Sequence, residues 1–388
     1  MKAKRPSAVP PPVTSPSQSP PAPPTDDERW MEVALAAAKN GKPSPNPNVG
    51  AAVVSSGELV ASAFHERAGG DHAEVAALLA AGDKANGASL YVTLEPCNHH
   101  GRTAPCTDAI IASKVTRVVV GTRDPNPHVE GMGVEKLRAA GIEVVLGVRE
   151  EKARAMIAPW SKHITVGLPY VSLKLALSLD GRIATRTGES KWVTGPDARA
   201  KVHLLRAKSD AIAIGIGTAL ADDPRLTVRD APGESPLRVI FDTKLRLPVE
   251  SRLVKTARET PTLVLCGLDA DADAESELAR HGVECLRTPL SAEGRLEVFT
   301  ALRSLAARGV VALMVEGGAE LAGSFLAGRL ADELHVFVAP ILLGPRGRAG
   351  AVDWAGPDTP QQAPRIATPA WELVGSDAYV HGPLIYPD

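Results

Sequence analysis

Short apolar segments alternate with helical patterns along most of this chain, in two blocks separated by a charged stretch. Such alternation is typical of a sheet covered by helices on both faces. In the first block, strands are predicted at 49–54, 59–64, 89–94, 117–121 and 142–146. Helices are predicted from Asp26 to about Asn40 and near 72–81, 105–112 and 131–140. We therefore expect residues 26–148 to form an α/β domain.

The second block repeats the alternation, so a second α/β domain is expected over residues 169–388. Its predicted strands lie near 170–176, 211–215, 237–241, 262–266, 311–315 and 334–338. Its predicted helices lie near 196–206, 273–280, 296–307 and 319–326. Residues 149–168 are charged and less periodic, and we interpret them as an inter-domain linker. Residues 1–25 are rich in Pro, Ser and Ala, which favours a disordered tail.

Composition limits the class of protein. The 388 residues suffice for two domains of ordinary size, and four cysteines are too few for a disulfide framework. A net charge of −2 argues against a nucleic-acid partner, because such proteins usually carry a basic excess. We find no run of about 18 apolar residues to cross a membrane, and no apolar segment typical of a secretory signal. A cytoplasmic protein is expected, and the sequence leaves open whether it forms a homo-oligomer.

The most specific motif is His72-Ala-Glu74, followed by Cys97 after a predicted strand and then by Cys106. One imidazole and two thiolates suit tetrahedral Zn²⁺, and three protein ligands leave a fourth position for water, as catalytic zinc sites do. Cys97 follows the carboxyl end of its strand, where α/β sheets usually place their sites. The sequence therefore predicts a catalytic zinc site formed by His72, Cys97 and Cys106.

Glu74 lies two residues from the predicted histidine ligand, which is a poor position for a fourth ligand. We interpret it as the group that takes a proton from the activated water and passes it to a leaving amine. The combination of His-x-Glu with Pro-Cys is the signature of zinc nucleobase deaminases. His99 and His100 could compete as ligands, although contacts to substrate suit them better. Cys266 and Cys285, in the second block, are interpreted as core residues.

Several ordered segments carry a resemblance to one family. Most zinc deaminases separate their two cysteines by two residues, whereas here a longer loop, 98–105, intervenes. The further segments are Pro45-Asn-Pro-Asn-Val-Gly50, Asp124-Pro-Asn-Pro127, Lys174-Leu-Ala-Leu-Ser-Leu-Asp-Gly181, Gly188-Glu-Ser-Lys-Trp192, 217–229 and Val315-Glu-Gly-Gly318. Over roughly residues 27–345 the chain resembles the RibD family of bifunctional riboflavin biosynthesis enzymes. The Pro-rich tail lies outside the resemblance, and the residues after 345 match only loosely.

The resemblance implies a cytidine-deaminase-like three-layer domain followed by a dihydrofolate-reductase-like α/β domain. The first domain would use one Zn²⁺ to deaminate a small phosphorylated pyrimidine, 2,5-diamino-6-(5-phosphoribosylamino)pyrimidin-4(3H)-one. The second domain would use NADPH to reduce the ribosyl side chain of the product to ribityl.

The resemblance also assigns site residues by position. In the first domain, Asn46 and His65 would line the pyrimidine pocket and Arg102 would meet the substrate phosphate. In the second domain, the positions that match substrate contacts are Ser190, Arg206, Leu226, Arg229 and Glu316. The positions that match NADPH contacts are Ala176, Trp192, Thr218, Asp222, Gly318, Ala319, Glu320, Leu321, Ala322, Gly323 and Ser324.

Two features of the second block can be interpreted without the resemblance. The glycines of Glu316-Gly-Gly318 follow an apolar strand and precede a helix, which suits a phosphate cradle, although such pairs also serve as simple turns. Lys174 lies within a predicted strand, and a buried lysine needs a carboxylate or a ligand. Asp180 and Glu316 are both candidates. For the reduction that the resemblance implies, Lys174 and Glu316 would orient the sugar.

Two other interpretations remain open. The chain could be a zinc deaminase of another nucleobase or nucleoside, such as a tRNA adenosine or free cytidine, fused to an unrelated domain. The long loop before Cys106 and the lack of basic excess argue against tRNA. Alternatively, the zinc could be purely structural. The presence of Glu74 and the lack of a fourth protein ligand argue against that interpretation.

Overall fold

The computed structural model describes residues 23–99, 104–127, 131–229, 231–344 and 350–387. Residues 1–22 of the predicted tail lie outside this range. None of the helices within the described residues has the length and apolar character needed to cross a bilayer.

The first block forms a five-stranded sheet in the order β2-β1-β3-β4-β5. Its elements are α1 (Asp26–Ala38), β1 (Gly50–Ser55), β2 (Glu58–Phe64), α2 (Ala73–Ala81), β3 (Ser89–Leu94), α3 (Cys106–Ala112), β4 (Arg117–Thr122), α4 (Met132–Ala139) and β5 (Glu143–Leu146). Strand β1 is antiparallel to both neighbours, and β3, β4 and β5 are parallel. Each predicted element of this block is confirmed, with bounds that differ by a few residues.

Helices cover both faces of this sheet, as the three-layer prediction requires. Ala51 and Val53 of β1 belong to the apolar cluster that includes residues of α2, α3 and α4. Ala52 and Val54, which alternate with them, pack with residues of α1 on the opposite face. The strand is buried on both faces, and for this reason its sequence is continuously apolar.

A partly buried ion pair joins α1 to the sheet. The Arg117 guanidinium donates to both carboxylate oxygens of Asp27, over 2.7 and 2.8 Å. The Tyr91 hydroxyl donates to the same carboxylate over 2.9 Å. Hydrogen bonds from Arg117 lower the pKa of Asp27 below its ordinary value, against the effect of burial.

Asp27→Ala should therefore destabilise the chain by about 1–2 kcal/mol, since a bidentate charged pair is lost at a site only partly open to solvent. The shift of the urea unfolding midpoint at neutral pH measures this change. A group with a lowered pKa contributes stability above its unfolded pKa and loses it as the pH falls through the folded pKa, so the difference should shrink in acid. Asp26→Ala is the matched control, because Asp26 lies in the same helical turn but is exposed. Equal shifts for both variants would contradict the assignment.

The segment 149–168, interpreted as a linker, is mostly helical. Helix α5 spans Glu150–Val166 and buries Ala153 and Ile157 against the first sheet. The sequence did not predict this helix, because it buries only a narrow face and contains Pro159, which together weaken its periodicity. The domain limits at 148 and 169 remain predictions.

The second block forms one larger sheet. Its elements are β6 (Tyr170–Ser178), α6 (Pro196–Lys208), β7 (Ala211–Gly215), α7 (Ile216–Asp222), β8 (Leu237–Phe241), α8 (Arg252–Lys255), β9 (Thr262–Gly267), α9 (Ala272–Arg280), β10 (Glu284–Thr288), α10 (Val298–Ala307), β11 (Ala312–Glu316), α11 (Ala319–Ala327), β12 (Glu333–Ala339), β13 (Arg365–Ile366), β14 (Ala370–Val374) and β15 (Asp377–Ile385). The order is β10-β9-β8-β7-β11-β6-β12-β15-β13, with β14 paired to β15. Lys162 of α5 donates to Asp332 beside this sheet over 2.5 Å.

The C-terminal strands were not predicted from the sequence. Strand β15 is antiparallel to β12 along most of its length, so the end of the chain is part of the main sheet. Its Gly382 and Pro383 interrupt the apolar alternation that identified the other strands. Helix α7 was missed as well, because it begins directly after β7 in a short run that contains Gly217.

Candidate active sites

The predicted zinc ligands converge at the carboxyl end of β3. Nδ1 of His72 lies 3.1 Å from Sγ of Cys106 and 3.6 Å from Sγ of Cys97. Bonds of about 2.0 Å to nitrogen and 2.3 Å to sulfur place tetrahedral ligand atoms roughly 3.5 Å apart. One imidazole and two thiolates at this spacing fit a zinc ion.

Local structure explains the convergence. His72 is the N-cap of α2, Cys97 follows β3, and Cys106 is the first residue of α3. The Cys106 backbone N–H donates to Sγ of Cys97 over 3.3 Å. The hydrogen bonds with Cys106 and with His72 lower the pKa of the Cys97 thiol, against the effect of burial. Cys106 therefore lies at a helix N-terminus, a position that favours the thiolate form.

Glu74 lies in the first turn of α2 and is 4% exposed. Burial raises the pKa of its carboxyl to about 7, although hydrogen bonds with its own backbone and with Cys106 oppose this effect. Its carboxyl therefore lies beside the ligand cluster, where a proton shuttle is needed.

Asn46 and His65 lie next to the ligand cluster. Nδ1 of His65 donates to the Asp71 carbonyl over 2.9 Å, so Nε2 is the acceptor for Nδ2 of Asn46 at 3.0 Å. The His65 and His72 rings are edge to face, with centroids 5.1 Å apart. Burial lowers the pKa of His65, which favours the neutral ring that this pattern requires. The structure therefore places both residues beside the ligand cluster.

Glu95 is a site residue to which sequence reasoning assigned no role. It is 4% exposed and accepts backbone N–H bonds from Asp124, Gly131 and Val134, at 3.2, 3.1 and 3.1 Å. These bonds tie the end of β3 to the segment between β4 and α4, and so hold the loop that begins at Cys97. The sequence feature that could have indicated this role is the position of Glu95, a carboxylate at a strand end two residues before the predicted ligand Cys97.

Three other residues considered for the deaminase site are not part of the described cluster. Arg102, the predicted phosphate contact, and His100 lie outside the described residues. His99 is exposed and is not part of the ligand group.

In the second sheet, one buried carboxylate faces two cations. Glu316, at the end of β11, accepts from Nε and Nη2 of Arg206 over 2.5 and 2.8 Å. Lys174 is the register partner of Glu316 in the parallel pair of β6 and β11, and Nζ lies 3.9 Å from Oε2. Asp180, the other candidate partner, instead accepts from the backbone N–H groups of Leu343 and Gly344.

Charge and burial shift the pKa values of both Glu316 and Lys174. Burial opposes ionisation of Glu316, but the charge and hydrogen bonds of Arg206 outweigh it and lower its pKa to about 2. Burial lowers the pKa of Lys174, with the Glu316 charge opposing and the Arg206 charge adding to this effect. Glu316 is therefore a carboxylate at all ordinary pH values, and Lys174 releases its proton more readily than an exposed lysine.

Further predicted substrate positions lie on segments bonded to this group. Arg206 also donates to the Thr227 carbonyl over 3.0 Å, next to buried Leu226. The Arg229 backbone N–H donates to Nδ1 of His203, which is also on α6. The loop 226–229 is therefore held against α6.

Ser190 and Asp222 form another contact between predicted positions. Oγ of Ser190 donates to Oδ1 of Asp222 over 2.9 Å, and Nζ of Lys191 donates to the Asp222 carbonyl over 2.8 Å. Residues 187–191 and Asp222 line a surface cleft at this point. Predicted substrate and cofactor positions therefore meet at one place.

A glycine turn precedes α11. Gly317 and Gly318 have φ of +81° and +89°, and a Cβ on Gly318 would lie 3.2 Å from Oγ1 of Thr218. Two predicted cofactor positions, Gly318 and Thr218, therefore face each other at the start of a helix. This close backbone approach at a helix N-terminus fits a phosphate-bearing cofactor.

The later positions of the predicted cofactor run are occupied by contacts within the protein. Leu321 and Ala322 are buried in the core, and a Cβ on Gly323 would lie 2.0 Å from the Asp353 carbonyl oxygen. Oγ of Ser324 donates to the Glu320 carbonyl. Their packing favours Gly318, Ala319 and Glu320, in the first turn, as the part that meets a ligand.

The two remaining predicted cofactor positions, Ala176 and Trp192, lie in different environments. Ala176 lies on β6 two residues from Lys174, and so on the same side of the sheet. Trp192 is 66% exposed, and the Arg199 guanidinium lies 4.7 Å from its ring centroid.

Two family models match this chain. Residues 24–122 match the cytidine and deoxycytidylate deaminase zinc-binding region, and residues 169–383 match the RibD C-terminal domain. The second match continues past residue 345, where the resemblance in the sequence was expected to weaken. The structure agrees with this longer match, since β15 belongs to the main sheet.

Individual proteins give the same result. The riboflavin biosynthesis protein RibD of Aquifex aeolicus is 46% identical over 321 residues, covering 82% of this chain and 88% of that protein. The protein of the same name from Escherichia coli is 41% identical over 372 residues, covering 92% and 98%. The solved structure of Acinetobacter baumannii RibD has a TM-score of 0.81 at 38% identity, covering 94% of this chain and 99% of that one. The diaminohydroxyphosphoribosylaminopyrimidine deaminase/5-amino-6-(5-phosphoribosylamino)uracil reductase of Thermotoga maritima has a TM-score of 0.81 at 37% identity, covering 93% and 99%.

Proposed function

The chain belongs to the RibD family of riboflavin biosynthesis enzymes, and from this premise we propose the residues by which it performs two successive reactions. The first is hydrolytic deamination of 2,5-diamino-6-(5-phosphoribosylamino)pyrimidin-4(3H)-one, and the second is NADPH-dependent reduction of the ribosyl group to ribityl. The observation that carries the proposal is the convergence of His72, Cys97 and Cys106 beside the buried carboxyl of Glu74.

In the deaminase site, His72, Cys97 and Cys106 hold the metal. When bound, Zn²⁺ supplies water activated for attack at the pyrimidine C2. Glu74 accepts the proton of that water and delivers it to the departing amine, so that ammonia leaves.

Asn46 and His65 form a wall of the pyrimidine pocket. Nδ2 of Asn46 is directed to His65, and we therefore assign its Oδ1 to accept a hydrogen bond from the ring. Arg102 remains our candidate for the substrate phosphate, on the grounds of its sequence position alone.

In the reductase site, the residues of the chain position the sugar. When bound, NADPH supplies the hydride that reduces C1′ of the ribosyl group. Arg206 holds Glu316 in one orientation, and Glu316 and Lys174 then orient the sugar hydroxyls. The glycine turn at Gly318 and the neighbouring Thr218 receive a phosphate of the cofactor.

A steady-state assay of the full chain tests this function. We expect one NADP⁺ for each ammonia released when the diaminopyrimidine phosphate and NADPH are both supplied. With NADPH omitted, ammonia release should continue. With the deaminated product supplied instead, NADPH should be oxidised without ammonia release. Ammonia without NADP⁺ would contradict the reductase, and release from free cytidine but not from this pyrimidine would favour the alternative deaminase.

Gly318→Ala should raise the KM for NADPH at least about tenfold, because the added Cβ narrows the turn beside Thr218 and strains a residue with positive φ. Ammonia release should be unchanged. Gly309→Ala is the matched control, since Gly309 also has positive φ (+84°) but a Cβ there meets nothing within 4 Å. If both variants change the KM equally, backbone strain and not the cofactor turn is responsible.

We also propose that the enzyme acts in the cytoplasm on a free small molecule. The thiols of Cys97 and Cys106 are unpaired and must remain reduced to bind metal, which suits a reducing compartment. The net charge of −2 suits a free pyrimidine phosphate better than a nucleic acid.

A further inference from the structure

A second group of metal-binding side chains lies in the reductase sheet, on β12 and β15. His335 and His381 are register partners in this antiparallel pair, and Glu333 lies two residues before His335. Side chains two residues apart share a face of a strand, and register partners lie side by side. The pairing of the strands therefore brings one carboxylate and two imidazoles together.

The spacing of the three ligand atoms suits one metal ion. Oε2 of Glu333 lies 3.6 Å from Nε2 of His335, and Oε1 lies 3.9 Å from Nδ1 of His381. All three ligand atoms lie within 4.8 Å of one another. Within the part of the chain that the structure describes, the only other group with this property is the zinc cluster of the deaminase domain. Tetrahedral nitrogen and oxygen ligands lie roughly 3.4 Å apart, so the three side chains must draw closer together to bind one ion.

Neighbouring groups hold two of these ligands in orientation. Nδ1 of His335 lies 2.6 Å from the Tyr379 hydroxyl, which leaves Nε2 directed at Glu333. Oγ of Ser172 donates to Oε2 of Glu333 over 3.4 Å. Histidine ligands commonly use the second ring nitrogen in this way, so that the ligating nitrogen is fixed.

The cluster is open to ions from solvent. The exposed side-chain fractions are 25% for Glu333, 8% for His335 and 34% for His381. Lys201, whose ammonium lies 4.6 Å from the Tyr379 ring centroid, is paired with Glu372. The Glu333 carboxylate therefore contacts two imidazoles, whereas the nearby Lys201 ammonium pairs with Glu372 instead. This arrangement suits a divalent ion.

We propose that Glu333, His335 and His381 bind a divalent transition-metal ion, separate from the deaminase zinc. Two imidazoles and one carboxylate are a ligand set that Zn²⁺ and Co²⁺ accept, with at least one position left for water. His335 is also the register partner of Lys174, so the ion binds one strand away from the residues that orient the sugar.

Metal titration of the full chain tests this proposal. Zn²⁺ content after equilibration with excess ion and removal of unbound metal should be two equivalents per chain. His381→Gln should hold one, and Glu333→Gln should bind the second at least about tenfold more weakly. Cys97→Ser should lose the deaminase ion and keep the other. In Co²⁺ titrations, the second equivalent should add visible absorption without the thiolate-to-cobalt charge-transfer band of the first.

His281→Gln is the matched control. Nε2 of His281 lies 3.4 Å from Glu277, so a histidine–carboxylate pair is present there, and the described residues add no third ligand to it. This variant should keep two equivalents. Circular dichroism in metal-free buffer should show the same fold for every variant. The proposal would be overturned if the wild-type chain held only one equivalent of Zn²⁺, or if His381→Gln bound the second equivalent with unchanged affinity. The cluster would then be only a hydrogen-bonded group of histidine and glutamate side chains.

Discussion

Replacing Glu74 with glutamine should slow ammonia release by at least about 10³-fold, while the metal content stays that of the wild-type chain. Glutamine fills the same buried space but cannot accept a proton, and positioned acid–base groups contribute roughly 10²–10⁴ in rate. Because Glu74 is not a ligand, His72 and the two cysteines should still hold zinc. Single-turnover ammonia release and zinc analysis on the same sample measure both effects.

Two comparisons make this result specific. Glu135→Gln changes an exposed glutamate on α4 in the same domain and should leave both readouts unchanged. NADPH oxidation by Glu74→Gln, with the deaminated product supplied, should equal that of the wild type. Retained deamination would show that Glu74 is not the proton shuttle. Loss of zinc together with activity would show that it supports the metal site instead.

Replacing Glu316 with glutamine should lower NADPH oxidation at least about 100-fold and destabilise the chain by about 3 kcal/mol. Removing one partner of a buried ion pair leaves uncompensated charge, here on both Arg206 and Lys174. Ammonia release should persist under conditions where the variant is folded, because the deaminase site lies on the other sheet. Urea unfolding and the two activity assays measure these effects.

Glu275→Gln is the matched control for this variant. Glu275 also pairs with an arginine, Arg287, at 2.6 Å, but both side chains are about one-third exposed. Exposed pairs are worth about 0–1 kcal/mol, so this variant should remain close to wild type in stability and in both activities. Equal destabilisation by the two variants would contradict the role assigned to the buried group.

The pH dependence of stability should differ between wild type and Glu316→Gln. The folded-state pKa of Glu316 is about 2, below its ordinary value of 4.5. A lowered pKa contributes stability above the unfolded value and loses it as the pH falls through the folded one. The stability advantage of the wild type should therefore be complete above about pH 5 and decline between about pH 5 and pH 2.

The zinc site was predictable because its chemistry is concentrated in short segments. His72 and Glu74 share one helix start, Cys97 follows a predictable strand, and Cys106 begins a predictable helix. Asn46 and His65 could be assigned only by resemblance, since neither has a motif that indicates a ligand. Their hydrogen bond depends on how the loop after α1 meets the end of β2.

Other features depended on contacts that the local sequence does not encode. Helix α5 has a narrow buried face and an internal proline, so its pattern suggested a linker. The partner of Lys174 was ambiguous between Asp180 and Glu316 until the register of β6 and β11 placed Glu316 opposite it. The role of Glu95 required three N–H donors from a segment that follows the next strand.

The sequence by itself determined the two α/β blocks and predicted as zinc ligands three residues that the structure brings together, His72, Cys97 and Cys106. Helical and strand periodicity are local properties, and the soft-ligand motif restricts the metal wherever its residues meet. Only the tertiary structure decided which distant charges meet, as in the group of Glu316, Arg206 and Lys174 and in the cluster of Glu333, His335 and His381. The physical reason is strand register, because pairing between strands far apart in the chain sets which side chains are neighbours on a sheet face.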